Sequence, residues 1–71
     1  MTIGEGAALT VAAGRTLSVN VPVTVNGTLD IQNEGGFTFG TPGIVVLQDG
    51  MTLNGTVLTA GLLEVYGDDA V

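Results

Sequence analysis

The sequence predicts an all-β fold in a single domain of 71 residues, built as a short-stranded β-solenoid or a small β-sandwich with essentially no helix. The strongest observation is the stretch from Leu17 to Ile31, in which apolar residues alternate with polar ones. This is the two-residue period of a strand that buries one face. The apolar positions, predicted to lie in the core or at a subunit interface, are Leu17, Val19, Val21, Val23, Val25, Leu29 and Ile31.

Two further observations support the same fold class. No window of helical length has a 3.6-residue apolar period, and twelve glycines and two prolines interrupt every candidate helix. The segment Thr24–Leu29 (TVNGTL) recurs 28 residues later as 52–57 (TLNGTV). A repeat at this spacing is typical of stacked structural units.

The first half of the chain divides into a lead-in and two alternating segments. Residues 1–7 are rich in small residues and form the lead-in, which can begin with a short strand. Residues 8–13 alternate, with Leu9 and Val11 on one face, and Gly14–Arg15 is predicted to be a turn or corner before the long strand. Pro22 lies inside that strand and removes a ladder donor, so it indicates an edge or a bend.

The turn at Asn26–Gly27 has two interpretations that keep the apolar pattern. A two-residue hairpin is rejected, because it would pair Val25 with Thr28 and place an apolar side chain opposite a polar one. A three-residue hairpin loop pairs Val25 with Leu29, which are both apolar. The alternative is a corner between parallel strands, as in a β-solenoid. Asn54–Gly55 is predicted to be the equivalent turn in the repeated segment.

The second half begins with a loop and a short strand at 33–40, in which Phe37 and Phe39 share one face. Ile44–Leu47 follows a turn at 41–43 and is continuously apolar, so this strand is predicted to be fully buried. Residues 51–59 and 62–66 are the last predicted strands, and 67–71 form a polar tail. The chain is therefore expected to contain six to eight short strands.

Composition limits the classes of function. Seven acids and one base give a net charge of −6, which opposes binding to nucleic acid or to an anionic membrane. The longest apolar run is four residues, far too short to span a bilayer, and the N-terminus lacks the basic and apolar segments of a signal peptide. A chain of this size buries only about 60% of its unfolded surface. The chain has no cysteine to form a disulfide and no histidine to bind a metal, so we expect it to form oligomers with a shared core.

No catalytic, cofactor or metal site is predicted. Histidine, the commonest general acid or base, is absent. No spacing selects a catalytic pair among the acids, which are interpreted as solvated or turn residues: Asp30, Glu34, Asp49, Glu64, Asp68 and Asp69. Calcium binding near Asp49 or Asp68–Asp69 is the weighed alternative, but the glycine-rich calcium-binding nonapeptide is missing. Asn26 and Asn54 begin glycosylation sequons, although their chemistry also suits turns.

Four side chains are candidates for contacts with other molecules. Phe37, Phe39 and Tyr66 are the only aromatic residues, and we expect them to form core or subunit contacts rather than a sugar-stacking surface. Arg15 is the only basic side chain; it is interpreted as a solvated turn residue, with an ion pair between subunits as the alternative.

The run from Leu9 to Gln32, LTVAAGRTLSVNVPVTVNGTLDIQ, resembles β-helical segments of two kinds of protein. These are phage virion proteins (tail spikes, tail fibres and capsid decorations) and the passenger regions of bacterial autotransporter adhesins. The resemblance lies in the LTV-x-x-G-x-TL-x-V pattern at 9–19 and the V-x-VNGTL-x-I pattern at 23–31. It covers about a third of the chain and carries over no active site.

The resemblance implies a non-enzymatic structural or assembly protein. We expect a small homotrimeric virion component, either a capsid decoration (cement) protein or a tail-spike segment, whose partners are its own copies and other virion proteins. The short chain and the missing secretion signal favour this interpretation if the 71 residues are a complete product. The alternative is a β-solenoid segment of a bacterial surface adhesin, a binding module at the cell surface, and a carbohydrate-active domain is a weaker third.

Overall fold

A computed structural model describes residues 1–34 and 40–67, and this part of the chain is all-β with no helix. The strands are short because a turn or a glycine follows each run of two to four extended residues. In chain order they are β1 (Thr2–Ile3), β2 (Ala8–Val11), β3 (Thr16–Val19), β4 (Val23–Val25), β5 (Thr28–Ile31), β6 (Ile44–Leu47), β7 (Met51–Leu53), β8 (Thr56–Thr59) and β9 (Leu62–Val65).

These strands form three parallel sheets of three strands each, in the orders β1-β4-β7, β2-β5-β8 and β3-β6-β9. Three consecutive strands therefore complete one pass through all three sheets, which we call a rung. The first rung is β1–β3, the second is β4–β6 and the third is β7–β9. Each strand from β1 to β6 pairs in parallel with the strand three places later in the chain, so the architecture is solenoid-like and the sandwich alternative is wrong.

The stretch from Leu17 to Ile31 is interrupted before Val23 and again at the predicted turn Asn26–Gly27, so it contributes to three sheets as β3, β4 and β5. Pro22 lies at the first bend, as its missing N–H indicated. Asn26–Gly27 is a corner between β4 and β5, which belong to two different parallel sheets, and this excludes the hairpin alternative. Val21 also lies in the first bend and is 51% exposed, so the prediction that it faces the core is wrong.

The repeat in the sequence corresponds to stacking of the second and third rungs. Thr24 aligns with Thr52 and Thr28 aligns with Thr56 in neighbouring parallel strands. The spacing of 28 residues is thus the length of one rung at these two sheets, and the repeated Asn-Gly pair forms the same corner in both rungs. The spacing between the first and second rungs in the second sheet is shorter than 28 residues, because Ala8 is aligned with Thr28.

The interior is filled by the inward-facing residues of the three rungs, and the second rung lies at its centre. All six inward residues of the second rung are at most 1% exposed: Val23, Val25, Leu29, Ile31, Val45 and Leu47. The predicted full burial of β6 is wrong for Ile44 and Val46, which are half-buried. A solenoid strand has one inward and one outward face, and these two residues occupy the outward one.

Candidate interaction surfaces

The described acidic side chains form no cluster that could hold a metal ion. Among residues 1–34 and 40–67, no group of three or more histidine, cysteine, aspartate or glutamate side chains is placed to hold a metal ion. Asp68 and Asp69, considered above for calcium, lie outside the described residues. No described helix is both long and apolar enough to cross a membrane.

The two Asn-Gly corners stack on each other. Nδ2 of Asn54 donates a hydrogen bond of 2.9 Å to Oδ1 of Asn26 in the preceding rung. The backbone N–H groups of Asn54 and Gly55 both donate to the carbonyl oxygen of Val25, at 2.8 Å each. The amide side chains thus connect successive rungs, which agrees with the interpretation of these residues as turn formers.

Tyr66 follows β9 and is 51% exposed, so it is not a core residue of this chain. Its phenolic O–H donates a 2.8 Å hydrogen bond to Oε2 of Glu64. This hydrogen bond and the negative charge of Glu64 raise the pKa of Tyr66 above its ordinary 10.0. Phe37 and Phe39, the other aromatic candidates, lie outside the described residues.

The outward faces of the three sheets differ in chemistry. The first sheet presents a threonine from each rung, Thr2, Thr24 and Thr52, which align in register. Three of the six outward positions of the second sheet are threonine, and the others are Ala8, Asp30 and the exposed Leu58. The third sheet instead presents Ile44, Val46 and Leu62.

We call Ile44, Val46 and Leu62 the lateral patch. Ile44 and Leu62 are register neighbours in β6 and β9, and Leu62 is 43% exposed. Thr16 and Ser18 of β3 border the patch on one side, and Glu64 of β9 lies beside Val46 on the other. This surface is not evident from the sequence, because the unbroken apolar run at 44–47 has the same appearance as a fully buried strand. Only the register of β6 assigns its alternate residues to the outside.

A second apolar surface lies at the end of the solenoid. Among residues 1–34 and 40–67, β7, β8 and β9 each have a paired strand on one side, and we call their other side the third-rung edge. Met51 of this rung is buried, but four of its other inward residues are only half-buried, although the equivalent residues one rung earlier are fully buried. They are Leu53, Val57, Leu63 and Val65. An open pocket lies beside the C-terminal ends of β5 and β8 and is lined by Asp30, Ile31, Gln32, Asn33, Val57, Leu58, Thr59 and Ala60.

The other predicted interface residues lie inside the solenoid. Leu17, Val19, Val23, Val25, Leu29 and Ile31 point inward and stack on their register neighbours, so in this chain they build its own core. Comparison with known proteins gave no match to a protein-family model, a curated protein or a solved structure.

Proposed function

We propose that this chain is a non-enzymatic structural protein that assembles through the lateral patch, most simply as a homotrimer. In keeping with the resemblance in residues 9–32, its place is the phage virion, as a capsid decoration or as a segment of a tail spike. Other virion proteins are its further partners. The proposal requires no cofactor.

The lateral patch is the observation that carries the proposal. An outward-facing side chain of a solenoid strand does not have to be apolar for the chain to fold, and the first sheet fills its three outward positions with threonine. On the third sheet three aligned or alternate outward positions are apolar, Ile44, Val46 and Leu62, whereas Leu58 is the one large apolar side chain among the described outward positions of the second sheet. Contiguous apolar residues on a polar surface are typical of a protein contact site.

Charge favours an apolar contact as the means of association. The net charge of −6 makes copies of the chain repel one another at long range. A stable trimer therefore depends on burying apolar surface at short range, which the lateral patch provides. Three copies with their third sheets facing a common axis would each remove Leu62 and its neighbours from water.

The alternative is a segment of a bacterial surface adhesin. The third-rung edge favours it, because a longer solenoid would continue there with another rung. In that case the chain would act as a monomeric spacer or binding module, and its mass in solution would be that of one chain.

The test is the mass of the 71-residue chain, measured by light scattering at micromolar concentration. We expect a trimer that dissociates when Val46→Thr and Leu62→Thr are combined, with the association constant weakened at least about tenfold. Threonine suits strands and already occupies all three outward positions of the first sheet, so the fold should be retained. Circular dichroism checks this retention.

Leu58→Thr is the matched control, because Leu58 is 53% exposed on the outward face of the second sheet. It removes a similar exposed side chain and should leave the trimer intact. A wild-type chain that is monomeric across the micromolar range would contradict the proposal, as would equal effects of the control and of the lateral-patch variant.

A further inference from the structure

Two columns of residues at the corners decide whether one rung can lie on another. The first column precedes the second sheet and contains Gly27 and Gly55, and the second precedes the third sheet and contains Gly43 and Gly61. A Cβ atom on Gly55 would overlap the carbonyl oxygen of Gly27, and one on Gly61 would overlap that of Gly43. A rung that stacks on a preceding rung therefore needs glycine in both columns.

The first rung departs from this requirement in both columns. Ala8 aligns with Thr28, so Ala7 occupies the position of Gly27. Thr16 aligns with Ile44, so Arg15 occupies the position of Gly43. Both residues are exposed. A rung placed before the first one in the same geometry would meet these two side chains where its own carbonyl oxygens must lie.

The third-rung edge has the opposite character. Carbonyl oxygens of Val25, Gly27, Ile31 and Leu47 each accept a corner hydrogen bond from the third rung, at 2.8–3.3 Å. Leu53, Gly55, Thr59 and Val65 are the equivalent residues one rung later, and their carbonyl oxygens lie on the side where β7, β8 and β9 have no described neighbour. Half-buried Leu63 and Val57 lie between these acceptors.

We propose that the third-rung edge is a docking site for one further solenoid rung supplied by a partner chain. The partner segment is extended, apolar at alternate positions, and carries glycine in both corner columns. It extends the three parallel sheets in register and covers the half-buried side chains. The first rung acts as a cap, so rungs are added at one end of the solenoid only. This inference is independent of the lateral patch.

A second copy of the chain does not fit this edge. Its first rung is closed by Ala7 and Arg15, which would meet the carbonyl oxygens of Gly55 and Gly61. Its third rung would have to approach with its strands reversed, whereas all six ladders between the strands are parallel. The partner is therefore a different segment with glycine at its corners.

The probe for this site is a labelled synthetic peptide that copies residues 51–66, the chain's own third rung. We expect the peptide to bind the full 71-residue chain saturably in a fluorescence-anisotropy titration. A peptide with both Gly55→Ala and Gly61→Ala should bind at least about tenfold more weakly, because its Cβ atoms prevent stacking. Equal binding of the two peptides, or no binding of either, would overturn the proposal.

A second experiment tests the closure of the first rung. Combining Ala7→Gly and Arg15→Gly should let the third-rung edge of one copy receive the first rung of another, giving concentration-dependent species larger than the wild-type assembly. Ala12→Gly combined with Thr41→Gly is the control, since both residues are exposed and lie outside the two columns. If the Ala7 and Arg15 variant keeps the wild-type mass, these side chains do not close the first rung.

The peptide titration is repeated on the chain that carries Val46→Thr and Leu62→Thr. Binding should be unchanged there, because the lateral patch faces outward and the docking edge lies at the end of the solenoid. Loss of binding in this variant would mean that the peptide occupies the lateral patch and would overturn the assignment of the docking site.

Discussion

Asn54 donates a hydrogen bond from Nδ2 to Oδ1 of Asn26 over 2.9 Å, and these two residues occupy the same corner in successive rungs. This hydrogen bond joins the two copies of the Asn-Gly repeat that is visible in the sequence. It also has a direction, because the amide of the later rung donates and that of the earlier rung accepts.

Asn54→Asp should lower the free energy of unfolding by about 1 kcal/mol at pH 7. The substitution replaces the donating amide with a carboxylate, so two acceptors face each other across the rungs. The loss should shrink below about pH 4, where the introduced carboxyl group is protonated and can donate. Urea denaturation at the two pH values measures the change.

Asn20→Asp is the control for added charge, since Asn20 is an exposed residue that directly follows β3. It makes the same change in net charge and should alter stability by less than about 0.5 kcal/mol. Equal losses in the two variants would show that the effect comes from charge and not from the hydrogen bond between rungs.

Gly55→Ala should cost about 2 kcal/mol or more, because the new Cβ atom would overlap the backbone of Asn26 and Gly27 in the preceding rung. The rungs would have to separate locally, which weakens the corner hydrogen bonds to the carbonyl oxygen of Val25. Gly4→Ala is the matched control: a Cβ atom there meets no atom within 4 Å, and its φ is not positive. Thermal unfolding that shifts equally for both variants would contradict the need for close approach at the corner.

Much of this architecture can be predicted from the sequence, but the strand pairing that distinguishes a solenoid from a hairpin cannot. Alternation predicts the inward positions of Val23, Val25, Leu29 and Ile31, and Pro22 indicates a bend. However, a three-residue hairpin and a corner between parallel strands both keep the parity of the apolar residues. Only the pairing of β4 with β7, rather than with β5, separates the two, and that pairing is a long-range property.

Identifying the candidate surfaces requires the strand register even more than identifying the fold does. An apolar run such as Ile44–Leu47 does not tell which of its residues face outward, so the lateral patch emerges only when β6 is aligned with β9. The significance of Ala7 likewise depends on its alignment with Gly27. In the sequence Arg15 is the only basic side chain, and the structure adds that it occupies a column in which the other two rungs have glycine.

The expectation that subunits share a core becomes a more limited hypothesis about which surfaces a partner would cover. The second rung is fully buried by its own neighbours along the chain, so most of the interior needs no second molecule. Among the described inward residues, incomplete burial is confined to the first and third rungs. Any partner therefore covers an end or a face of the solenoid, and does not complete its centre.

The phenol of Tyr66 should titrate with a pKa above 10.0, because its protonated form donates to Glu64 and its ionised form would face a like charge. Tyr66 is the chain's only tyrosine, so tyrosinate absorbance reports this group alone. Glu64→Gln should lower the pKa toward 10.0. Since the folded-state pKa is the raised one, the stabilisation from this hydrogen bond is present below pH 10.0 and is lost as the pH rises past the folded value.

Glu5→Gln is the control for this titration, since it removes one negative charge in the corner between β1 and β2. It should leave the pKa of Tyr66 close to that of the wild-type chain. If both variants lower this pKa equally, the shift reflects net charge rather than the contact with Glu64.

Leu47→Ala and Leu63→Ala should differ in cost, although both residues point inward from the third sheet. Leu47 is 1% exposed in the second rung, and truncating it should lower the free energy of unfolding by about 3 kcal/mol through lost burial and a cavity. Leu63 is only half-buried in the third rung, so its truncation removes less contact and should cost less than about half as much. Urea denaturation of both variants, carried out on the chain with Val46→Thr and Leu62→Thr so that trimer formation does not contribute, gives the comparison. Equal losses would contradict an open third-rung edge and would mean that Leu63 is covered in solution as completely as Leu47.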